Sequence, residues 1–258
     1  MKILVATQKP FARQAVDGIV AQAQGHEVAL LENYQSKSEL LDAVKDADAM
    51  IVRSDVVDAE VLDAAKKLKI VVRAGAGYDN VDLEAASNRG VVVENTPGQN
   101  ANAVAELVFG LLVYAMRGFY NGKSGSELRG RKLGLLAFGN VGRNVARIAK
   151  GFGMDVYAYD AYCPAVVMES AGVHQVSSID DLFRTCNIVS LHIPATAETL
   201  GIIGRRYLEL MPKDAVLVNT ARKEVINEDE LIQLMNERTD FKYVTDIMPA
   251  ANDKMVEF

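Results

Sequence analysis

The chain has 258 residues, half of them hydrophobic and 24% charged, with 28 Lys and Arg against 34 Asp and Glu and a formal net charge of -6. That balance supports a packed core and argues against general binding to nucleic acid or to anionic membranes, leaving anions to be held by single arginines and helix N-termini. Cys163 and Cys186 form no CxxC pair, which suits a reducing cytoplasm and suggests neither a disulfide framework nor a metal site.

Met1 leads straight into Ile3-Leu4-Val5-Ala6, which reads as a first strand rather than a signal peptide. No apolar stretch reaches the roughly 18 residues of a membrane span. Short apolar runs then alternate with amphipathic stretches. Strands are expected at 3–6, 27–31, 49–52, 70–72 and 91–93, with helices between them such as 38–45 and 59–67. The turn-rich segment Asn95-Thr96-Pro97-Gly98-Gln99-Asn100 ends this series. A long helical pattern follows from about 102 to 120. A second series begins at Lys132, with strands near 133–137, 155–159, 188–191, 215–219 and 243–246. The expected fold is α/β, two doubly wound parallel-sheet (Rossmann or flavodoxin-like) domains joined by the long helix. The boundary is placed at 97/98, giving domains 1–97 and 98–258.

The strand at 133–137 runs into Ala137-Phe138-Gly139-Asn140-Val141-Gly142 and then a helical pattern. This is the dinucleotide fingerprint with Ala137 in place of the first glycine, a less permissive residue for a tight turn. Gly139 lets the backbone approach a pyrophosphate, Gly142 lets helix and strand pack closely, and the amides around Asn140 and Val141 would hold the negative charge. Eighteen residues past Gly142 a strand ends in Asp160. A carboxylate there accepts ribose hydroxyls and repels a 2′-phosphate, so NAD is the expected cofactor.

Several further runs resemble the D-2-hydroxyacid dehydrogenase family. They are Leu191-His192-Ile193-Pro194 with Thr196 and Thr199, Val218-Asn219-Thr220-Ala221-Arg222 and Asn227-Glu228-Asp229-Glu230-Leu231. In the first domain they are Ile51-Val52-Arg53-Ser54, 72–82 and Asn95-Thr96-Pro97-Gly98. The first-domain motifs are similar to the phosphoglycerate branch. The resemblance implies a first substrate domain and a second NAD domain. It makes Arg222 the catalytic cation, which grips a substrate carboxylate and polarises the C2 carbonyl. It gives Gly75, Ala76 and Gly77 the role of an anion nest, and Arg53 and Arg73 the role of phosphate ligands in one cleft. Pro194 and Thr220 would line the nicotinamide ribose, and Asp246 would hold the carboxamide.

The pattern breaks at the proton carrier. The family's glutamate position is Ala251, and its histidine belongs beyond Phe258. Either the base lies in a C-terminal segment missing from this sequence, or Lys254 replaces the pair, its pKa lowered by nearby cations and apolar walls. His26 and His174 read as surface residues, and His192 as a strand-end residue near the cofactor. The resemblance implies NAD-dependent oxidation of 3-phosphoglycerate to 3-phosphohydroxypyruvate, the first step of serine biosynthesis, or its reverse. The alternatives are a reductase of hydroxypyruvate, glyoxylate or another 2-oxo acid, and an NAD(H)-sensing interaction protein of the same fold. A homodimer is expected because the long helix is apolar on more than one face.

Overall fold

The computed structural model describes residues 1–251. The chain divides into two compact units, Met1–Asn100 and Ala101 onward. The first contains strands β1 (Lys2–Thr7), β2 (Glu27–Glu32), β3 (Ala49–Val52), β4 (Ile70–Arg73) and β5 (Val92–Asn95), with helices α1 (Arg13–Gln22), α2 (Lys37–Val44), α3 (Ala59–Ala64) and α4 (Leu83–Asn88) between them. The sheet order is β2-β1-β3-β4-β5, all parallel. Leu4, Met50 and Val71 stand in register across three strands and are buried under the helices. Val5, on the opposite face, is buried too, while its neighbours Ile51 and Val72 are half-buried.

The second unit opens with α5 (Ala101–Met116), then β6 (Lys132–Leu136), α6 (Asn140–Gly151), β7 (Asp155–Tyr159), α7 (Ala165–Ser170), β8 (His174–Gln175) and α8 (Ile179–Thr185). It continues with β9 (Ile188–Leu191), α9 (Arg205–Leu208), β10 (Val216–Asn219), α10 (Glu228–Glu237) and β11 (Lys242–Thr245). Its sheet, β11-β10-β9-β6-β7-β8, is again parallel. Both faces are buried, and the period of two decides which side chain goes where. Leu133, Leu135, Val216 and Val218 pack on one face with α5 and α6, while Leu136, Val189, Leu191 and Leu217 pack on the other with α8, α9 and α10. This is why these strands read as unbroken apolar runs in the sequence.

The long helix ends sooner than its pattern suggested. Arg117 and Gly118 break it, and Phe119 and Tyr120 take left-handed φ values of 55° and 57° in a short 3₁₀ turn. Its packing is with the second unit: Phe109 stacks on Phe152 with ring centroids 4.9 Å apart, and the Lys242 ammonium reaches the Ala115 carbonyl. His174, expected at the surface, is exposed in the two-residue edge strand β8. No helix among the described residues is long and apolar enough to cross a membrane.

Leu135 sits mid-strand in β6 with 0% exposure. Leu135→Ala is expected to destabilise the protein by about 2–5 kcal/mol. The loss should appear as a lower denaturant midpoint with an unchanged slope.

Candidate functional site

In the second unit the polar groups gather where the strands end. β6 stops at Leu136, and Ala137 takes φ 83°, the left-handed conformation that the missing glycine would have adopted freely. For alanine this costs roughly 1–2 kcal/mol. Two bonds hold the turn against that strain: Ala137 N–H donates to Tyr159 O at 2.8 Å, and Phe138 N–H to Asp160 Oδ2 at 2.7 Å. Gly139 caps α6 with open space where a Cβ would stand. A Cβ on Gly142 would lie 2.5 Å from Ala137 O, so only glycine lets the helix start this close to the strand end. The first-turn amides of α6 have no intrahelical acceptor and carry the positive end of the helix dipole.

Asp160 faces this turn from the end of β7. Burial disfavours its charge, but N–H groups of Phe138, Tyr162 and Cys163, at 2.7–2.9 Å, and the nearby Arg143 outweigh that penalty and hold the carboxyl below its ordinary range. It is therefore ionised at neutral pH and, with three bonds accepted, keeps capacity for a further donor.

Past β9, His192 N–H donates to Leu136 O, and the ring lies beside Gly142. Its Nε2 is shielded from solvent and has no hydrogen-bond partner, as is Thr220 Oγ1 past β10. Pro194 is exposed, its carbonyl held by Thr199 Oγ1 at 2.6 Å. Asn219, fully buried, shapes the next turn: its Nδ2 donates to Arg222 O at 2.9 Å and its Oδ1 accepts from Ala221 N at 3.1 Å. This fixes the backbone that carries Arg222, whose side chain is bonded to Ala221 O. The motif spacing alone assigns Asn219 no role; the signal for it is an amide within an apolar run. Asp246 is exposed just after β11.

The run Asn227–Leu231 proves to be structural. Asn227 Oδ1 caps α10 by accepting from Glu230 N at 3.2 Å, Glu230 accepts from Arg205 N at the start of α9, and Glu228 accepts from Ala250 and Ala251 N. A hollow of about 590 Å³ opens beside this run, but Glu224, Glu228 and Asp229 against Lys223 make its rim unsuited to an acidic substrate.

In the first unit Arg53 follows β3 and Arg73 ends β4, with Val52 in register with Arg73, so the two arginines stand at the carboxyl ends of adjacent strands, one residue out of register. Ala74 N–H bonds to Val52 O and Gly75 N–H to Arg73 O, both at 2.8 Å. A Cβ at Gly75 would land on the Arg73 guanidinium. Gly75 thus serves the loop first by its missing side chain, which lets the cation lie across it. Asn95 Nδ2 holds Ala76 O at 2.7 Å, and Thr96 N–H holds Gly75 O at 2.9 Å, which together fix the stretch before Gly77.

The residues of the second unit fit a dinucleotide: a glycine cradle that a Cβ would fill, a helix start, an ionised acceptor past the neighbouring strand, and two shielded polar atoms without partners. No cluster among the described residues could hold a metal ion. Lys254 lies outside the described residues.

Burial pushes the His192 pKa down from 6.5 to about 4. The folded protein then binds fewer protons than the unfolded chain between those values, so stability falls as pH drops from 6.5 toward 4. His192→Asn should flatten that part of a stability–pH curve, and an imidazole signal titrating near 6.5 would contradict the buried neutral ring.

The family model described as D-isomer specific 2-hydroxyacid dehydrogenase, NAD binding domain, matches residues 114–255. A D-3-phosphoglycerate dehydrogenase of Methanocaldococcus jannaschii is 41% identical over 216 residues, 78% of this chain and 41% of that protein. A hydroxypyruvate reductase of Thermotoga maritima is 38% identical over 221 residues, 80% of this chain and 71% of that protein. The crystal structure of NAD+-bound 3-phosphoglycerate dehydrogenase from Entamoeba histolytica is 44% identical with a TM-score of 0.92, over 100% of this chain and 84% of that one. The chain spans 41% and 46% of the length of the first curated relatives it matches. It belongs to the D-isomer specific 2-hydroxyacid dehydrogenase family, and its second unit carries that family's NAD-binding domain.

Proposed function

We propose that the protein is an NAD-dependent dehydrogenase that interconverts 3-phosphoglycerate and 3-phosphohydroxypyruvate, the first unit binding substrate and the second NAD. The observation that supports the phosphorylated substrate is that Arg53, just past β3, and Arg73, at the end of the adjacent β4, both stand at strand carboxyl ends, with the Arg73 guanidinium lying across the glycine loop. Two guanidiniums match a phosphate dianion far better than one carboxylate requires. Relatives named 3-phosphoglycerate dehydrogenase support the same reading.

When bound, NAD supplies the acceptor for the hydride leaving C2 of the hydroxy acid. Asp160 accepts the adenosine ribose hydroxyls, and Gly139, Asn140, Val141 and Gly142 present backbone amides to the pyrophosphate. Pro194 and Thr220 border the nicotinamide ribose, and Asp246 accepts from the carboxamide. Arg222 grips the substrate carboxylate and stabilises negative charge on the C2 oxygen in the reductive direction. Arg53 and Arg73 bind the phosphate, and the amides of Ala76 and Gly77 the remaining anionic oxygens, since the Gly75 amide expected in the nest is already donated to Arg73 O. His192, half-buried with its Nε2 shielded and its pKa pushed down to about 4, is a poor carrier for a proton exchanged near pH 7. We assign that role to Lys254 rather than to a residue past Phe258, so Lys254→Ala should lower kcat while sparing NADH binding, and an undiminished kcat would exclude Lys254.

Relatives named hydroxypyruvate reductase and glyoxylate reductase favour a second reading, an unphosphorylated 2-oxo acid as substrate. The variants Arg53→Ala and Arg73→Ala separate the two. A phosphate-binding role predicts a rise of about tenfold or more in KM for 3-phosphohydroxypyruvate, with kcat changed less. Unchanged kinetics in both variants would favour the unphosphorylated acids. Gly75→Ala should repeat the KM effect with little loss of stability, since the added methyl displaces only a flexible guanidinium. Asp160→Ala should weaken NADH binding and narrow the gap between NADH and NADPH. Leu107 and Tyr114, 39% and 41% exposed on α5, support a homodimer, which sedimentation of the full-length protein would test.

A further inference from the structure

The first unit buries one carboxylate that none of the expected substrate contacts uses. Asp55 is 5% exposed and lies two residues beyond Arg53. Its Oδ1 accepts from Gln8 N–H at 2.7 Å and from the Tyr34 hydroxyl at 2.6 Å, and its own carbonyl accepts from Asn80 Nδ2 at 2.7 Å. These three donors sit on the segments that follow β1, β2 and β4, and Asp55 sits on the one that follows β3. One residue therefore ties together four successive strand exits of this sheet.

The tie is built, not incidental. Asn33 takes a left-handed φ of 56°, which turns the chain just after β2, and the next residue, Tyr34, is 6% exposed. Asparagine is one of the few residues that adopts this conformation routinely. Burial, followed by the hydrogen bond to Asp55, raises the Tyr34 pKa, so the phenol stays protonated and donating. Asn80 is bound from both sides, since its carbonyl accepts from Val57 N–H at 2.8 Å while its side chain holds Asp55 O. A buried carboxylate is costly unless its bonds are satisfied, and an apolar residue would fill the same space at lower cost. What the carboxylate adds is a fixed path for the backbone carrying Arg53 and, through Asn80, for the end of the loop that begins at Arg73 and Gly75.

We infer that Asp55, with Tyr34 and Asn80, is a positioning residue for phosphate recognition: it sets the Arg53 loop and the glycine loop in one arrangement, so the two arginines meet a phosphate without reorganisation. This rests on the phosphorylated-substrate reading proposed above. Preorganisation of this kind shows in discrimination between substrates rather than in the chemical step.

The test compares Tyr34→Phe, Asp55→Ala, Asp55→Asn and Arg53→Ala in the full-length protein. KM and kcat are measured with 3-phosphohydroxypyruvate and with hydroxypyruvate, alongside NADH affinity and Tm. Tyr34→Phe removes one bond and keeps the ring packed, so it reports even where Asp55→Ala fails to fold. The expected result is a KM for the phosphorylated substrate about three- to tenfold higher in Tyr34→Phe, and higher still in Asp55→Ala. KM for hydroxypyruvate, NADH affinity and kcat should stay near those of the unaltered protein. Asp55→Asn keeps the accepting oxygen and should restore most of the selectivity. If Arg53→Ala abolishes the preference for the phosphorylated substrate while Tyr34→Phe and Asp55→Ala leave it whole, Asp55 is structural only and the inference is wrong. If Arg53→Ala leaves the preference untouched, the phosphate reading itself falls and the inference with it. A loss shared equally by both substrates and tracking Tm would also overturn it.

Discussion

The close approach of a helix to the end of a buried strand governs the second unit. At Gly142 the helix α6 begins so near Ala137 O that a single methyl group would not fit. Everything that suits this unit to a dinucleotide follows from that contact. The first-turn amides face outward, the dipole is aimed past the strand end, and Asp160 is brought against Phe138 N–H. The turn contains a strained alanine because the flanking packing over-determines it: β6 is buried on both faces and α6 is anchored by Val145, Ala146 and Ala149.

The first unit solves a different problem. Its strand exits must hold the backbone that carries Arg53 and Arg73 along a fixed path. It does so with backbone bonds across adjacent strands, with glycine at position 75 to make room for a guanidinium, and with a buried carboxylate that gathers four exits. In both units the sheet interior supplies rigidity and the carboxyl edge supplies chemistry, as open parallel sheets do.

Most of the fold was legible because buried parallel strands write themselves as apolar runs. The strands near 27–31, 49–52, 155–159 and 188–191 lie within a residue of their expected bounds. The end of α5 was not legible, since the apolar pattern continues through Phe119 while the backbone has already turned left-handed. The two-residue strand β8 is too short to leave a pattern. Among polar residues, Asp160 and the glycine turn could be read from spacing alone. Asn219 and Glu230 could be seen, but their roles depend on which backbone groups come within reach in space. Asp55 and Tyr34 carried no signal, being 21 positions apart and joined only when β2 and β3 are folded on either side of β1.

We propose a phosphorylated hydroxy acid as the substrate that this family member oxidises with NAD. The most direct measurement is the initial rate of NADH oxidation by the full-length protein with 3-phosphohydroxypyruvate, set against hydroxypyruvate and glyoxylate. Rapid oxidation is expected with the phosphorylated acid, and a kcat/KM at least about tenfold lower with the other two. Equal or faster turnover of the unphosphorylated acids would contradict it and leave Arg53 and Arg73 without the work assigned to them.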